Sequence, residues 1–123
     1  LLVDSLTSIA SAFSGEKSRF RIYMEQLFRY LEREDITSFL IRETPNPTHV
    51  GRTVVGSGAV SFLSDGIIAI YNAMYPDGSR DRAIEIVKMR GEHFKSGISL
   101  MHIRNNGITV YPNKKLKKGY RLS

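Results

Sequence analysis

The chain has 123 residues, enough for one domain with a core of its own. It contains no cysteine, which excludes a disulfide framework and a thiolate metal centre, and no apolar run approaches the ~18 residues that a membrane-spanning helix needs. Lysine and arginine number 18 against 12 acidic residues, and the resulting charge of +6 favours a phosphate-bearing partner.

Leu1 to Asp4 reads as a short buried strand that ends in a carboxylate. Its apolar start carries no basic leader, so no secretory signal is expected and a cytoplasmic location is. Residues 5–15 are rich in Ser, Thr and Ala and hold Gly15, which predicts a loop or a short irregular helix. A helix is predicted over 17–34, because Phe20, Met24, Leu27 and Leu31 recur on one helical face. Ile36 to Ile41 reads as a second strand, ending at Arg42 and Glu43. Strand, helix and strand in that order make a βαβ unit, whose strands should be parallel.

Pro45 and Pro47 stop that strand, and residues 44–58 form a long polar loop of the length usually kept for a function. A helical turn over 59–63, capped by Ser57, precedes a strand from Ile67 to Met74. Pro76-Asp77-Gly78-Ser79 is a turn, and Arg82 to Arg90 is the antiparallel partner strand. Ser99–Ile103 and Ile108–Tyr111 form a second hairpin around Asn105-Asn106-Gly107. The first third is therefore α/β and the last half an antiparallel β extension. Lys114, Lys115, Lys117 and Lys118 crowd residues 113–123, read either as a solvated tail or as a docking site for nucleic acid or an acidic subunit.

Few residues are placed to carry chemistry. Asp4 at the carboxyl end of a parallel strand can hold Mg²⁺ with support from Ser5, or can act as a cap or ion-pair partner. Glu43 should lie on the same rim, where it can position a water, or can pair with Arg42. Lys88 and Arg90, two apart on a strand, should share the face of Ile84 and Ile86 at the edge of a packed surface. A point charge beside a fork-shaped guanidinium suits a phosphate; the alternative is two solvated strand-end cations. His49, His93 and His102 show no zinc spacing. The 123 residues contain no Gly-x-x-x-x-Gly-Lys-Ser/Thr, and Gly51, Gly56 and Gly58 do not replace it.

These pieces, in their order and spacing, resemble the KaiC-like ATPases, a RecA-fold group that includes the circadian clock ATPase. Leu1-Leu2-Val3-Asp4-Ser5-Leu6-Thr7 resembles the Walker B strand, and Phe62-Leu63-Ser64-Asp65-Gly66-Ile67-Ile68 the segment entering the next core strand. Val87-Lys88-Met89-Arg90-Gly91, with Gly97 six residues on, matches the most distinctive signature of the group; Gly107-Ile108 and Tyr111-Pro112 fit its closing hairpin.

The resemblance covers about 1–112. It implies a partial RecA-like P-loop NTPase core, from the Walker B strand onward, with a C-terminal antiparallel β extension. The whole chain, 1–123, would then be the C-terminal half of one ATPase domain, with the phosphate-loop half absent and 113–123 a basic tail.

What the resemblance implies for function is a homo-oligomeric, often hexameric, ring with ATP and Mg²⁺ between neighbours. Asp4 would hold Mg²⁺ with Ser5 beside it. Lys88 and Arg90 would act in trans on the neighbour's γ-phosphate, and Glu43 would sense nucleotide state. Without a phosphate loop the chain alone would be inactive. Loop 44–58 would face the ring channel. The alternatives are a basic nucleic-acid-binding module, gripping through that loop and the lysine tail, and an ATP-dependent scaffold for protein clients. The sequence departs from the pattern at Phe94, where the group commonly has His, so no role passes to His93. It departs again at Val60-Ser61, where the group often has an acidic pair.

Overall fold

A computed structural model describes residues 1–13, 15–43 and 59–123. They fall into two compact units, one of residues 1–43 with 59–64 and one of residues 65–123. The expected loop 44–58 and the Ser57 cap lie outside the described residues.

The first unit contains β1 (Leu2–Asp4), α1 (Leu6–Ala12), α2 (Lys17–Arg33), β2 (Phe39–Ile41) and α3 (Ala59–Leu63). The strands are parallel, as the intervening helices require, in the register Leu2↔Phe39, Val3↔Leu40 and Asp4↔Ile41. The Leu1 amino group donates to the Thr37 carbonyl at 2.8 Å, and Phe39 N–H donates to the Leu1 carbonyl at 2.8 Å, so pairing continues past β1.

Residues 6–12 are a regular helix, because buried Leu6 and half-buried Ile9 and Ala10 follow helical spacing. The Ser- and Thr-rich composition hid that face. Helix α2 buries Met24 and Leu31, two of the apolar positions that predicted it. It ends because Asp35 adopts a left-handed φ of 52°, while Ile36 N–H donates back to the Leu31 carbonyl at 2.9 Å. That termination uses up Ile36, so β2 begins at Phe39. The expected burial of the strands is only partly met: Val3 and Leu40 are half-buried, whereas Leu2 and Phe39 are 67% and 63% exposed.

The second unit is a five-stranded sheet ordered β6-β5-β4-β3-β7, built from β3 (Gly66–Met74), β4 (Arg80–Met89), β5 (Ser99–Arg104), β6 (Gly107–Tyr111) and β7 (Arg121–Leu122). All neighbouring pairs are antiparallel. At the β3–β4 turn the Asp77 carboxylate accepts from Ser79 N–H at 2.9 Å and from the Ser79 hydroxyl at 2.6 Å. Those two bonds hold its carboxyl below the usual range. Gly78 supplies the φ of 82° that the turn requires.

One sheet face carries the core. Tyr71 pairs with Ala83, and both are buried with Ala73 and Tyr75. The other face is more open, with Ile68, Ile70, Ile103 and Ile108 exposed although Met101 among them is buried. β7 was not expected. Ser123 and Asn72 exchange two backbone hydrogen bonds, at 2.8 and 2.9 Å, which fix the chain end against β3.

Candidate functional site

The first group of predicted residues gathers at the carboxyl ends of β1 and β2. Asp4 is exposed where β1 stops, opposite Ile41, and Glu43 follows two residues beyond that partner. Glu43 N–H donates to the Thr7 hydroxyl at 3.1 Å, which ties the segment leaving β2 to the first turn of α1. Ser5 lies between Asp4 and that helix, its Oγ 3.4 Å from Ser8 Oγ; the Asp4–Ser5 peptide is cis. Parallel pairing therefore brings Asp4, Ser5, Thr7 and Glu43 to one rim of the first unit.

These are hard oxygen donors. No group of three or more His, Asp or Glu that could hold a metal ion occurs among the described residues. Oxygen donors of this kind suit Mg²⁺, which usually takes one or two carboxylates and completes its shell with water and phosphate oxygens.

Lys88 lies near the end of β4 and Arg90 just beyond it in the second unit, and a β-bulge decides their direction. Ile67 pairs with Lys88, but Ile68 pairs with Ile86, which leaves Val87 as the extra residue. Adjacent β3 residues face opposite ways, so Lys88 lies opposite the face of Ile84 and Ile86, not on it. The expected shared face with the two isoleucines is thus overturned by one inserted residue.

The two cations still point together. Arg90 N–H donates to the Asp65 carbonyl at 2.7 Å, one pair beyond Gly66↔Met89, so Lys88 and Arg90 both continue the face of Ile67, Ala69 and buried Tyr71. That is the better-packed face. Arg90 Nη1 lies 3.1 Å from Asp65 Oδ1, with the two side chains 58% and 83% exposed. Lys88 is half-buried.

Two carboxylate–tyrosine pairs lie on the same face. Tyr71 OH donates to Glu85 at 3.0 Å, and Tyr75 OH to Asp81 at 2.9 Å. Burial, reinforced by Glu85, pushes the Tyr71 hydroxyl up to about 12. Burial and Asp81 raise Tyr75 in the same way.

Sequence reading missed a third feature. β4 and β5 stop pairing at Arg82↔Met101, yet β4 reaches back to Arg80 and β5 runs on to Arg104. The strands part around an open groove of about 500 Å³, whose walls include Arg80, Arg82 and Arg104 with Asp81 and His102. His102 Nε2 is 3.9 Å from Asp81, its Nδ1 is 3.3 Å from Arg104 Nη2, and its ring meets Tyr111 edge-on. His102 is thus held between a carboxylate, a guanidinium and an aromatic ring. The alternation of Arg80 and Arg82 is the one sequence signal for the groove, and it needs β5 to become visible.

Comparison with known proteins identifies the family. The family model described as "ATPase: KaiC" matches residues 1–115. The chain belongs to the KaiC ATPase family. It is 30% identical over 119 residues to the UPF0273 protein PH0284 of Pyrococcus horikoshii, a match spanning 97% of this chain and 45% of that protein. It is 25% identical over 111 residues to the circadian clock oscillator protein KaiC of Synechococcus elongatus, covering 89% of this chain and 20% of that one.

Among solved structures it superposes on the KaiC-like protein PH0186 of Pyrococcus horikoshii with a TM-score of 0.72 and 28% identity, over 91% of this chain and 48% of that chain. The mixed α/β architecture with its antiparallel sheet is thus that of a KaiC-like protein. The chain spans less than half the length of each of these relatives. No helix among the described residues is long and apolar enough to cross a membrane.

Proposed function

We propose that this chain contributes to an interfacial, Mg²⁺-dependent ATPase of cytoplasmic homo-oligomers, hexameric rings by the family pattern. The observation that carries the reading is the parallel β1–β2 register, which leaves Asp4 and the segment reaching Glu43 on one rim. Ligand crevices of α/β sheets lie at the carboxyl ends of parallel strands. Membership of the KaiC ATPase family supports nucleotide as the ligand.

Within this reading Asp4, a Walker B residue, holds Mg²⁺, largely through water, and Ser5 supplies a neighbouring hydroxyl. When bound, the ion screens the phosphate charge of ATP. Glu43 orients water at the rim or reports whether the nucleotide is present. Lys88 and Arg90 reach a neighbour's ATP and neutralise charge that develops on its γ-phosphate, the role of an arginine finger.

Arg90 is suited to that role by its partner. An exposed Arg–Asp pair contributes about 0–1 kcal/mol, so release from Asp65 costs little when a phosphate presents itself. Asp4→Asn in the full-length gene product tests the metal role. ATP hydrolysis should fall while ATP binding without magnesium stays near wild type. Undiminished hydrolysis would remove Asp4 from the site.

A further inference from the structure

The charge of this protein is divided unevenly. Residues 1–64 hold seven basic and seven acidic side chains, whereas residues 65–123 hold eleven and five, so the excess of +6 belongs wholly to the second part. Its densest stretch is 113–123, with Lys114, Lys115, Lys117, Lys118 and Arg121 and no acidic residue. A cationic tail is ordinarily solvated and mobile. This one is fastened along its length.

Lys95 Nζ donates to the Pro112 carbonyl at 2.9 Å and to Asn113 Oδ1 at 3.1 Å at the start of the segment. Leu100 N–H reaches the Lys114 carbonyl at 3.4 Å. Lys114 and Lys117 lie over the rings of Tyr111 and Tyr75, at 4.8 and 5.4 Å from the centroids. Leu116, Tyr120 and Leu122 turn inward and are half-buried, and β7 with Ser123 pairs to β3. The outward positions are left to Lys115, Lys118 and Arg121, all exposed and in no ion pair among the described residues.

We propose that this strap is a nucleic-acid backbone-binding surface, made of residues other than those of the proposed nucleotide rim. Its chemistry selects that partner over an acidic protein. Protein interfaces place aromatic, Met or Arg side chains at a desolvated centre and are depleted in lysine. The strap turns its apolar residues inward and presents lysine-rich cations outward. Such a surface neutralises phosphates by releasing their counterions, with no base readout. Because the strap is already fastened to the sheet, binding does not have to order it, and that ordering is a cost a free tail would meet.

The test is fluorescence-anisotropy titration of labelled duplex and single-stranded oligonucleotides against the full-length gene product, from low to physiological salt. Binding should weaken linearly in log[salt]. Lys115→Ser with Lys118→Ser should reduce the slope by about 0.9 for each phosphate no longer neutralised on a duplex, or about 0.7 on a single strand. Arg29→Ser, on the exposed side of α2 in the electroneutral part, should leave the slope unchanged. Circular dichroism melts of the three proteins should coincide, since all these side chains point outward. Absence of salt-sensitive binding at low ionic strength, an unchanged slope in the double variant, or an equal reduction with Arg29→Ser would each overturn the proposal. So would a preference for polyglutamate over both oligonucleotides.

Discussion

At the scale of single residues, the pair most open to test is Arg90 and Asp65. The sequence contained both, 25 positions apart, and nothing in their spacing joined them. They meet because β3 and β4 remain in register past Gly66↔Met89. The proposed role requires Arg90 to leave Asp65 for a phosphate, which gives the two side chains opposite mutational signatures. Arg90→Ala should cut ATP turnover by roughly 10³ to 10⁵, the usual contribution of such a group. Asp65→Asn should leave turnover at or above wild type and lower stability by no more than about 1 kcal/mol, as expected for an exposed ion pair. Comparing kcat and Tm for the two variants separates a working Arg90 from one that only fastens a strand end. If Asp65→Asn is as inactive as Arg90→Ala, the salt bridge itself is what matters.

Elements were legible where apolar periodicity was strong and local. The stripe of Phe20, Met24, Leu27 and Leu31 announced α2, and Pro76-Asp77-Gly78-Ser79 announced the β3–β4 turn. Helix α1 was obscured by Ser and Thr, which favour caps and turns as readily as helix. The bulge at Val87 was not legible, because Ile86-Val87-Lys88 reads equally well as a regular strand. Only pairing with Ile67 and Ile68 shows that Lys88 has changed face. β7 was hidden for a similar reason, as two residues in a lysine-rich stretch carry no period.

The β3–β4 ribbon also makes a prediction in alkali. Tyr71 OH is buried against Glu85 and its pKa stands at about 12, against an ordinary value of 10.0. The unfolded chain therefore gives up this proton first. The stabilisation is complete below pH 10 and is lost as pH rises from there towards 12. Urea denaturation across that window should show stability falling with pH, and Tyr71→Phe should flatten the Tyr71 part of the decline. An unchanged slope in Tyr71→Phe would show that the alkaline loss comes from other groups.

At the scale of the whole molecule, the candidate residues divide between the two units. Asp4, Ser5 and Glu43 belong to the first, and Lys88 and Arg90 to the second. In the proposed function the first group serves its own subunit's rim and the second a neighbouring subunit's nucleotide. Subunit mixing tests this claim most directly. Asp4→Ala and Arg90→Ala versions of the full-length gene product should each be nearly inactive alone. When co-assembled, some interfaces pair an intact Asp4 with an intact Arg90. The account predicts that ATP hydrolysis then recovers to a clear fraction of wild type. No recovery in a mixture shown to co-assemble would contradict action in trans.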